Sequence, residues 1–213
     1  MLRVPASLLA TSRYPAVLDP VIEPRFRLTT PVSVPTLGQE RSLAAVAIGQ
    51  TSLLVWTDNR SSGDDIFGAR MNAAGDILDD FGIAVATSSA PESLPRVATD
   101  GTQFFVVWES QFLGVFGARV SASGTLLDPA GIQITQMGGM PDVAFDGTNF
   151  VVVYSVGGDV FAKQVSPSGQ VLSMNPIVVS SGSLYESNAV IAAGNGVSYI
   201  AWERQDQTGL TQV

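Results

Sequence analysis

An internal repeat is the feature that most limits how this chain can fold. One sequence block recurs four times and closes each time on an aromatic residue, namely Trp56, Trp108, Tyr154 and Trp202. These residues are 52, 46 and 48 positions apart. The two clearest copies, residues 95–108 and 141–154, share Pro-x-Val-Ala-x-Asp-Gly-Thr-x-Phe-x-Val-Val before the aromatic. A period of this length predicts an array of one repeated structural unit.

Two further blocks follow within each unit. A Phe-containing block that ends in Gly occupies residues 66–75, 115–124 and 160–169. A short apolar block then occupies residues 82–85, 131–134 and 176–179, and residues 31–34 near the N-terminus match it. Residues 31–34 therefore stand where the last block of a unit is expected.

Each unit contains four apolar runs rich in β-branched and aromatic residues, separated by turn signals. Asp100-Gly101 and Asp146-Gly147 are strong hairpin signals, because glycine accepts the positive φ that tight turns require. Runs such as 104–108 do not alternate in polarity, which indicates strands buried on both faces. We therefore predict an all-β fold, a β-propeller of four-stranded antiparallel blades.

The expected domain limits follow from this arrangement. Residues 1–27, which contain Pro5, Pro15, Pro20 and Pro24, are predicted to form an irregular arm without an evident signal peptide. Residues 28–213 form the propeller, with repeats at about 42–86, 94–136, 140–181 and 187–213 plus 28–35. A strand near 30–34 would complete the fourth blade and close a four-bladed ring. The alternative is a partial ring that is completed by oligomerisation, for which a homodimer is the simplest form.

The repeats resemble those of bacterial secreted or surface β-propeller proteins, most of them of unassigned function. The signature is Asp-Gly-Thr-x-Phe-x-Val-x-Trp followed by Gly-Ala-Arg-Val, and residues 100–124 and 146–169 carry it best. The resemblance implies a propeller, an extracellular or cell-surface location, and a binding or scaffold role. It transfers no catalytic residue.

Composition excludes several classes of chemistry. The chain has no Cys and no His, so thiolate nucleophiles, Cys/His zinc sites and histidine bases are absent. A net charge of −8 argues against nucleic-acid partners. No apolar run reaches the length of a membrane span. Carboxylates are the remaining acid–base groups, and Lys163 is the single lysine.

Several polar residues are candidates for function, and each also has a structural interpretation. Asp100 and Asp146 are interpreted as turn formers, and Arg70 and Arg119 as partners of a carboxylate or carbonyl between blades. No catalytic or metal-binding residue and no cofactor is assigned, although calcium at Asp64-Asp65 or Asp79-Asp80 stays open. Glu109 and Glu203, with Asp58 near the matching place, could form a carboxylate pair across the channel.

The favoured function is a non-catalytic binding or assembly module that presents face loops to a protein or glycan partner. A carboxylate-based glycan-active enzyme and a purely structural oligomer-building protein are the alternatives, so enzymatic activity is left open. The expected contact residues lie in the two longest loops of one face: Asp58, Arg60, Asp64, Glu203, Arg204 and Asp206. The four closing aromatics Trp56, Trp108, Tyr154 and Trp202 are expected to be structural wedges between blades.

Overall fold

The computed structural model describes residues 41–60, 63–205 and 211–212. Four antiparallel sheets follow the four repeats in chain order. The first sheet contains β1 (Arg41–Ile48), β2 (Thr51–Asp58), β3 (Asp65–Asn72) and β4 (Ile83–Ala86). The second contains β5 (Glu92–Thr99), β6 (Gln103–Ser110), β7 (Gly114–Ser121) and β8 (Ile132–Thr135). The third contains β9 (Gly139–Phe145), β10 (Phe150–Val156), β11 (Asp159–Val165) and β12 (Ile177–Ser180). The fourth contains β13 (Tyr185–Gly194), β14 (Val197–Gln205) and β15 (Thr211–Gln212).

The hairpins form where the sequence places its turn signals. The Asp100 side chain accepts hydrogen bonds from the backbone N–H of Thr102 at 2.8 Å and of Gln103 at 3.0 Å. Gly101 has a φ of 89°, a value that L side chains rarely adopt. Asp146 caps the matching turn in the third repeat. The repeated aspartates therefore fix the register of the strands on either side.

The sheets stack face to face as propeller blades. Leu53 and Val55 of the first blade pack against Phe104, Val106 and Trp108 of the second. The other face of the second blade packs on the third, and the third packs on the fourth in the same way. The first strands β1, β5, β9 and β13 lie next to one another in that order. This arrangement confirms the predicted all-β propeller of four-stranded antiparallel blades.

An arginine clasp repeats in the first two blades. Arg70 donates two side-chain hydrogen bonds to Asp79, and Arg119 does the same to Asp128, at 2.8–2.9 Å. Each guanidinium also reaches a carbonyl of the next blade's hairpin, Ala122 or Pro167. The hydrogen bonds from the arginines hold the pKa of Asp79 and of Asp128 below the usual range, against the opposing effect of burial. The contacts match the expected role of these arginines between blades.

Every first strand carries a bulge near its start. Ser42, Leu94, Met140 and Asn188 have φ values of 52–56°, although none of them is glycine. The register of the strand pairing shifts at or beside each of these residues. Left-handed backbone is costly for such residues. Its recurrence in four blades shows that the bulge is built into the fold.

The fourth blade has three strands within the described part of the chain. Its outward face exposes Val190, Val197 and Tyr199, the last at 73%. The positions equivalent to Tyr199 in the first two blades, Leu53 and Phe105, are fully buried under the next blade. Residues 1–40, with the predicted arm and the closing strand at 28–35, lie outside the described residues. Closure of the ring, the domain limits and the homodimer stay predictions.

Candidate functional site

A cleft between the first and second blades brings two buried carboxylates together. Asp65 begins β3 and Glu92 begins β5, and they are 4% and 1% exposed. The backbone N–H of Glu92 donates to the carbonyl of Asp64 at 2.7 Å, which fixes the two strand starts side by side. A cavity of about 480 Å³ opens here, lined by Arg60, Gly63, Asp65, Phe67 and residues 87–91. Asp65 lines this cavity, whereas Glu92 directly follows the lining residue Pro91 and is itself buried outside the lining.

Burial raises the pKa of Glu92, and the negative charge of Asp65 raises it further. A hydrogen bond from the Ser88 hydroxyl to Glu92 Oε1 acts in the opposite direction and is outweighed. Glu92 Oε2 has no hydrogen-bond partner among the described residues. A carboxyl group in this position keeps its proton to a higher pH than an exposed glutamate does.

Glu186 occupies the same repeat position in the fourth blade, but its pKa is shifted in the opposite direction. It is also buried, but Arg204 Nε donates to its Oε1 at 2.9 Å. Hydrogen bonds from Ser180, Arg204 and Trp202 lower the pKa of Glu186 despite its burial. Where Glu186 has Arg204, Glu92 has Ser110 as its strand neighbour. One repeat position thus holds a glutamate with a lowered pKa in the fourth blade and one with a raised pKa in the second blade.

Arg60 is the expected contact residue that lines the cleft, and the burial of Asp58 keeps its side chain from contacting a partner. Asp58 is fully buried and accepts hydrogen bonds from Trp56 Nε1 and Arg60 Nε, both at 3.0 Å. Burial acts to raise the pKa of Asp58, but the hydrogen bonds from Arg60 and Trp56 outweigh it and lower the pKa. The Arg60 guanidinium also stacks over the Phe67 ring at 4.0 Å. Asp64 forms an ion pair with Arg41 at 2.7 Å.

The remaining expected contact residues belong to the fourth blade. Glu203 accepts a hydrogen bond from Asn188 Nδ2 at 2.9 Å, and Arg204 pairs with Glu186. Asp206 lies outside the described residues. Within the described part of the chain, no hydrogen bond or ion pair joins these residues to Asp58, Arg60 or Asp64. The two halves of the expected contact cluster remain on separate blades.

The carboxylates proposed across the channel are engaged with the bulges. Glu109 Oε2 accepts the backbone N–H of Met140 at 3.0 Å, and Glu203 holds the side chain of Asn188. A cavity of about 200 Å³ lies between these first strands, where Arg96 faces Asp142 at 3.8 Å. Glu109 and Glu203 therefore each bind the strand bulges rather than each other.

Two other expectations concern metals and membranes. In residues 41–60, 63–205 and 211–212, no group of three or more acidic side chains is arranged to hold a metal ion. Asp64 and Asp79, one from each pair considered for calcium, are bound by Arg41 and Arg70. None of the residues described forms a helix long and apolar enough to cross a membrane.

Sequence reasoning missed Glu92, although a signal was present. Glu92 and Glu186 both stand two residues before the bulge residue of their strand, and Glu40 stands at the matching place of the first repeat. A repeated acidic residue beside a buried strand could have been noticed when the repeats were aligned. Its unusual environment depends on Asp65, which comes from a neighbouring blade.

Comparison with known proteins gives structural neighbours only. No family model and no curated protein sequence matches the chain. An alpha-L-arabinanase of Cellvibrio cellulosa, solved in complex with arabinohexaose, is similar with a TM-score of 0.51 at 10% identity; the similarity covers 81% of this chain and 71% of the arabinanase. The GH43 protein BlXynB of Bacillus licheniformis gives a TM-score of 0.50 at 13% identity, over 84% of this chain and 42% of its own. At such low sequence identity, the structural similarity shows a shared fold alone.

The structural neighbours correct the favoured function. The sequence favours a non-catalytic binding or assembly module, but the chains that share its fold include an arabinanase and a GH43 protein. The favoured interpretation is wrong because the repeat resemblance carried no information about carboxylate chemistry.

Proposed function

We propose that this chain is a carboxylate-based glycan-active enzyme in which Glu92 acts as the proton donor. The observation that carries the proposal is the raised pKa of Glu92, buried next to Asp65 beside an inter-blade cavity. General acids in glycoside hydrolysis need a raised pKa so that they hold a proton at working pH. Two neighbouring carboxyl groups with different protonation states are the usual machinery of this reaction.

The chemistry assigns a role to each carboxyl group. The proton of Glu92 passes to the glycosidic oxygen as the bond between that oxygen and the anomeric carbon breaks. Asp65, as a carboxylate, stabilises the positive charge that develops on the sugar ring. Water then adds to the anomeric carbon, and one of its protons passes to the Glu92 carboxylate, which restores the starting state of the enzyme.

The surrounding side chains are suited to holding a sugar in the cleft. Arg60 lines the cavity with its guanidinium fixed by Asp58 and by the Phe67 ring. A fixed guanidinium donates hydrogen bonds to hydroxyl groups without further loss of side-chain freedom. Arg60 thus forms part of the proposed glycan site and is positioned there by the buried Asp58, and an extracellular location of the bacterial protein belongs to the same proposal.

Hydrolysis of arabinohexaose and xylohexaose by the purified chain tests the proposal, with products separated by chromatography. We expect Glu92→Gln to reduce the rate by about 10²–10⁴-fold, because loss of a general acid has effects of that size. Glutamine keeps the neutral shape of protonated glutamic acid, so folding is preserved.

Glu186→Gln is the matched control, since it changes the same repeat position in a blade without the acidic neighbour. Its rate is expected to stay within about twofold of the unmodified chain, in line with a residue outside the site. Absence of hydrolysis of both glycans, or equal rates in E92Q and the unmodified chain, would contradict the proposal.

A further inference from the structure

The third blade departs from the repeat at one place, and a cavity opens there. Lys163 replaces the alanine of the first two blades, Gln164 the arginine of the clasp, and Ser173 its aspartate. In the first two blades, Gly82 and Gly131 pack against the closing tryptophans. In the third blade, Pro176 takes the place of the glycine and Tyr154 that of the tryptophan. The resulting cavity between the second and third blades has a volume of about 660 Å³.

Lys163 is the one unpaired cation in the described part of the chain. Each described arginine forms an ion pair with a carboxylate: Arg41–Asp64, Arg60–Asp58, Arg70–Asp79, Arg96–Asp142, Arg119–Asp128 and Arg204–Glu186. The half-buried ammonium of Lys163 instead donates to the carbonyl of Ile134 at 3.0 Å. Two of its three donors remain for a ligand. Among the described residues, no carboxylate lies within ion-pair distance of this ammonium group.

The rest of the cavity wall is mainly apolar. Ile134, Phe161 and Val171 form its lining with Lys163. Met137 and Met174 lie at the same opening and are 68% and 94% exposed, so the cavity is accessible from solvent. Methionine side chains adapt to aromatic groups and contact them favourably. A cavity of this size accommodates a small organic molecule.

We propose that this cavity binds an aromatic carboxylate, with the carboxylate at Lys163 and the ring against Phe161 and the methionines. The cation selects the negative charge and the apolar wall selects the ring. The site is separate from the Glu92 cleft and does not depend on the proposed hydrolytic activity. Its origin is the set of substitutions that distinguishes the third blade from the first two.

Isothermal titration calorimetry with cinnamate, cinnamyl alcohol and acetate tests the proposal. We expect cinnamate to bind, and the neutral alcohol and the ringless acetate to bind at least about tenfold more weakly, since each lacks one of the two contacts. Lys163→Ala introduces the alanine that the first two blades carry at this position, and it is expected to weaken cinnamate binding at least about tenfold. Lys163→Arg keeps the charge and should retain binding.

Melting curves show whether each variant is folded. If K163A does not fold, Lys163→Gln is the variant that removes the charge. The proposal is overturned if cinnamate does not bind, if acetate binds as tightly as cinnamate, or if the variant without the charge binds cinnamate as the unmodified chain does. Loss of hydrolysis in E92Q has no bearing on this result, because the two cavities share no lining residue.

Discussion

Trp108→Ala is expected to lower the free energy of unfolding by roughly 3–5 kcal/mol, the range for large aromatic residues removed from a core. Trp108 is 3% exposed and packs between the first and second blades. Its ring also stacks on Phe116 with centroids 6.2 Å apart. Urea denaturation measures the loss, which is a large share of the stability of a typical domain.

Phe81→Ala is the control for this measurement. Phe81 lies between β3 and β4 and is 87% exposed, so its removal should change stability by no more than about 0.5 kcal/mol. If Trp108→Ala left stability unchanged and instead abolished glycan hydrolysis, Trp108 would be a substrate-contact residue and not part of the core.

Removal of residues 1–35 is expected to abolish soluble folding. The motivation is the match between residues 31–34 and the last strand block of each repeat, together with a fourth blade that has three strands among the described residues. Without the closing strand an open sheet edge would promote aggregation. Expression followed by size-exclusion chromatography and a melting curve measures the outcome.

Removal of residues 1–27 alone is the matched truncation, since it leaves the predicted strand in place. This shorter deletion should yield a folded protein. A chain that lacks residues 1–35 and melts at the same temperature as the full chain would rule out closure by this strand.

The strands could be predicted because the same pattern of apolar runs and turn residues recurs in each repeat. The Phe-containing block at 115–124 contains most of the strand Gly114–Ser121, and the short apolar block at 131–134 contains most of the strand Ile132–Thr135. Turn chemistry fixed the hairpins, since Asp100 and Gly101 act locally. Local signals of this kind need no knowledge of the neighbouring blades.

The starts of the first strands could not be predicted equally well. The second blade's first strand begins at Glu92, three residues before the repeated block at 95–108. The bulge at Leu94 interrupts the sequence pattern there, and no glycine marks its position. The same limit applies to the site. Glu92 and Glu186 each stand two residues before a bulge, and their opposite pKa shifts depend on the burial and the polar neighbours that the folded blades give to each carboxyl group.

The two glutamates should also affect stability in opposite ways as pH changes. Folding raises the pKa of Glu92, so its contribution to stability is complete below the unfolded-state pKa and is lost as pH rises through the folded-state value. Folding lowers the pKa of Glu186, so its contribution is present above the unfolded-state pKa and is lost as pH falls. Burial is the main cause of the raised pKa of Glu92, with a smaller contribution from Asp65, whereas Ser180 and then Arg204 lower the pKa of Glu186.

A carboxyl ¹³C NMR titration of the folded chain, with Glu92 and Glu186 assigned by the two glutamine variants, tests this account most directly. The account predicts that Glu92 titrates above the usual glutamate value of about 4.3 and that Glu186 titrates below it. Equal pKa values for the two residues, or a Glu92 pKa at or below the usual value, would contradict the assignment of Glu92 as the proton donor.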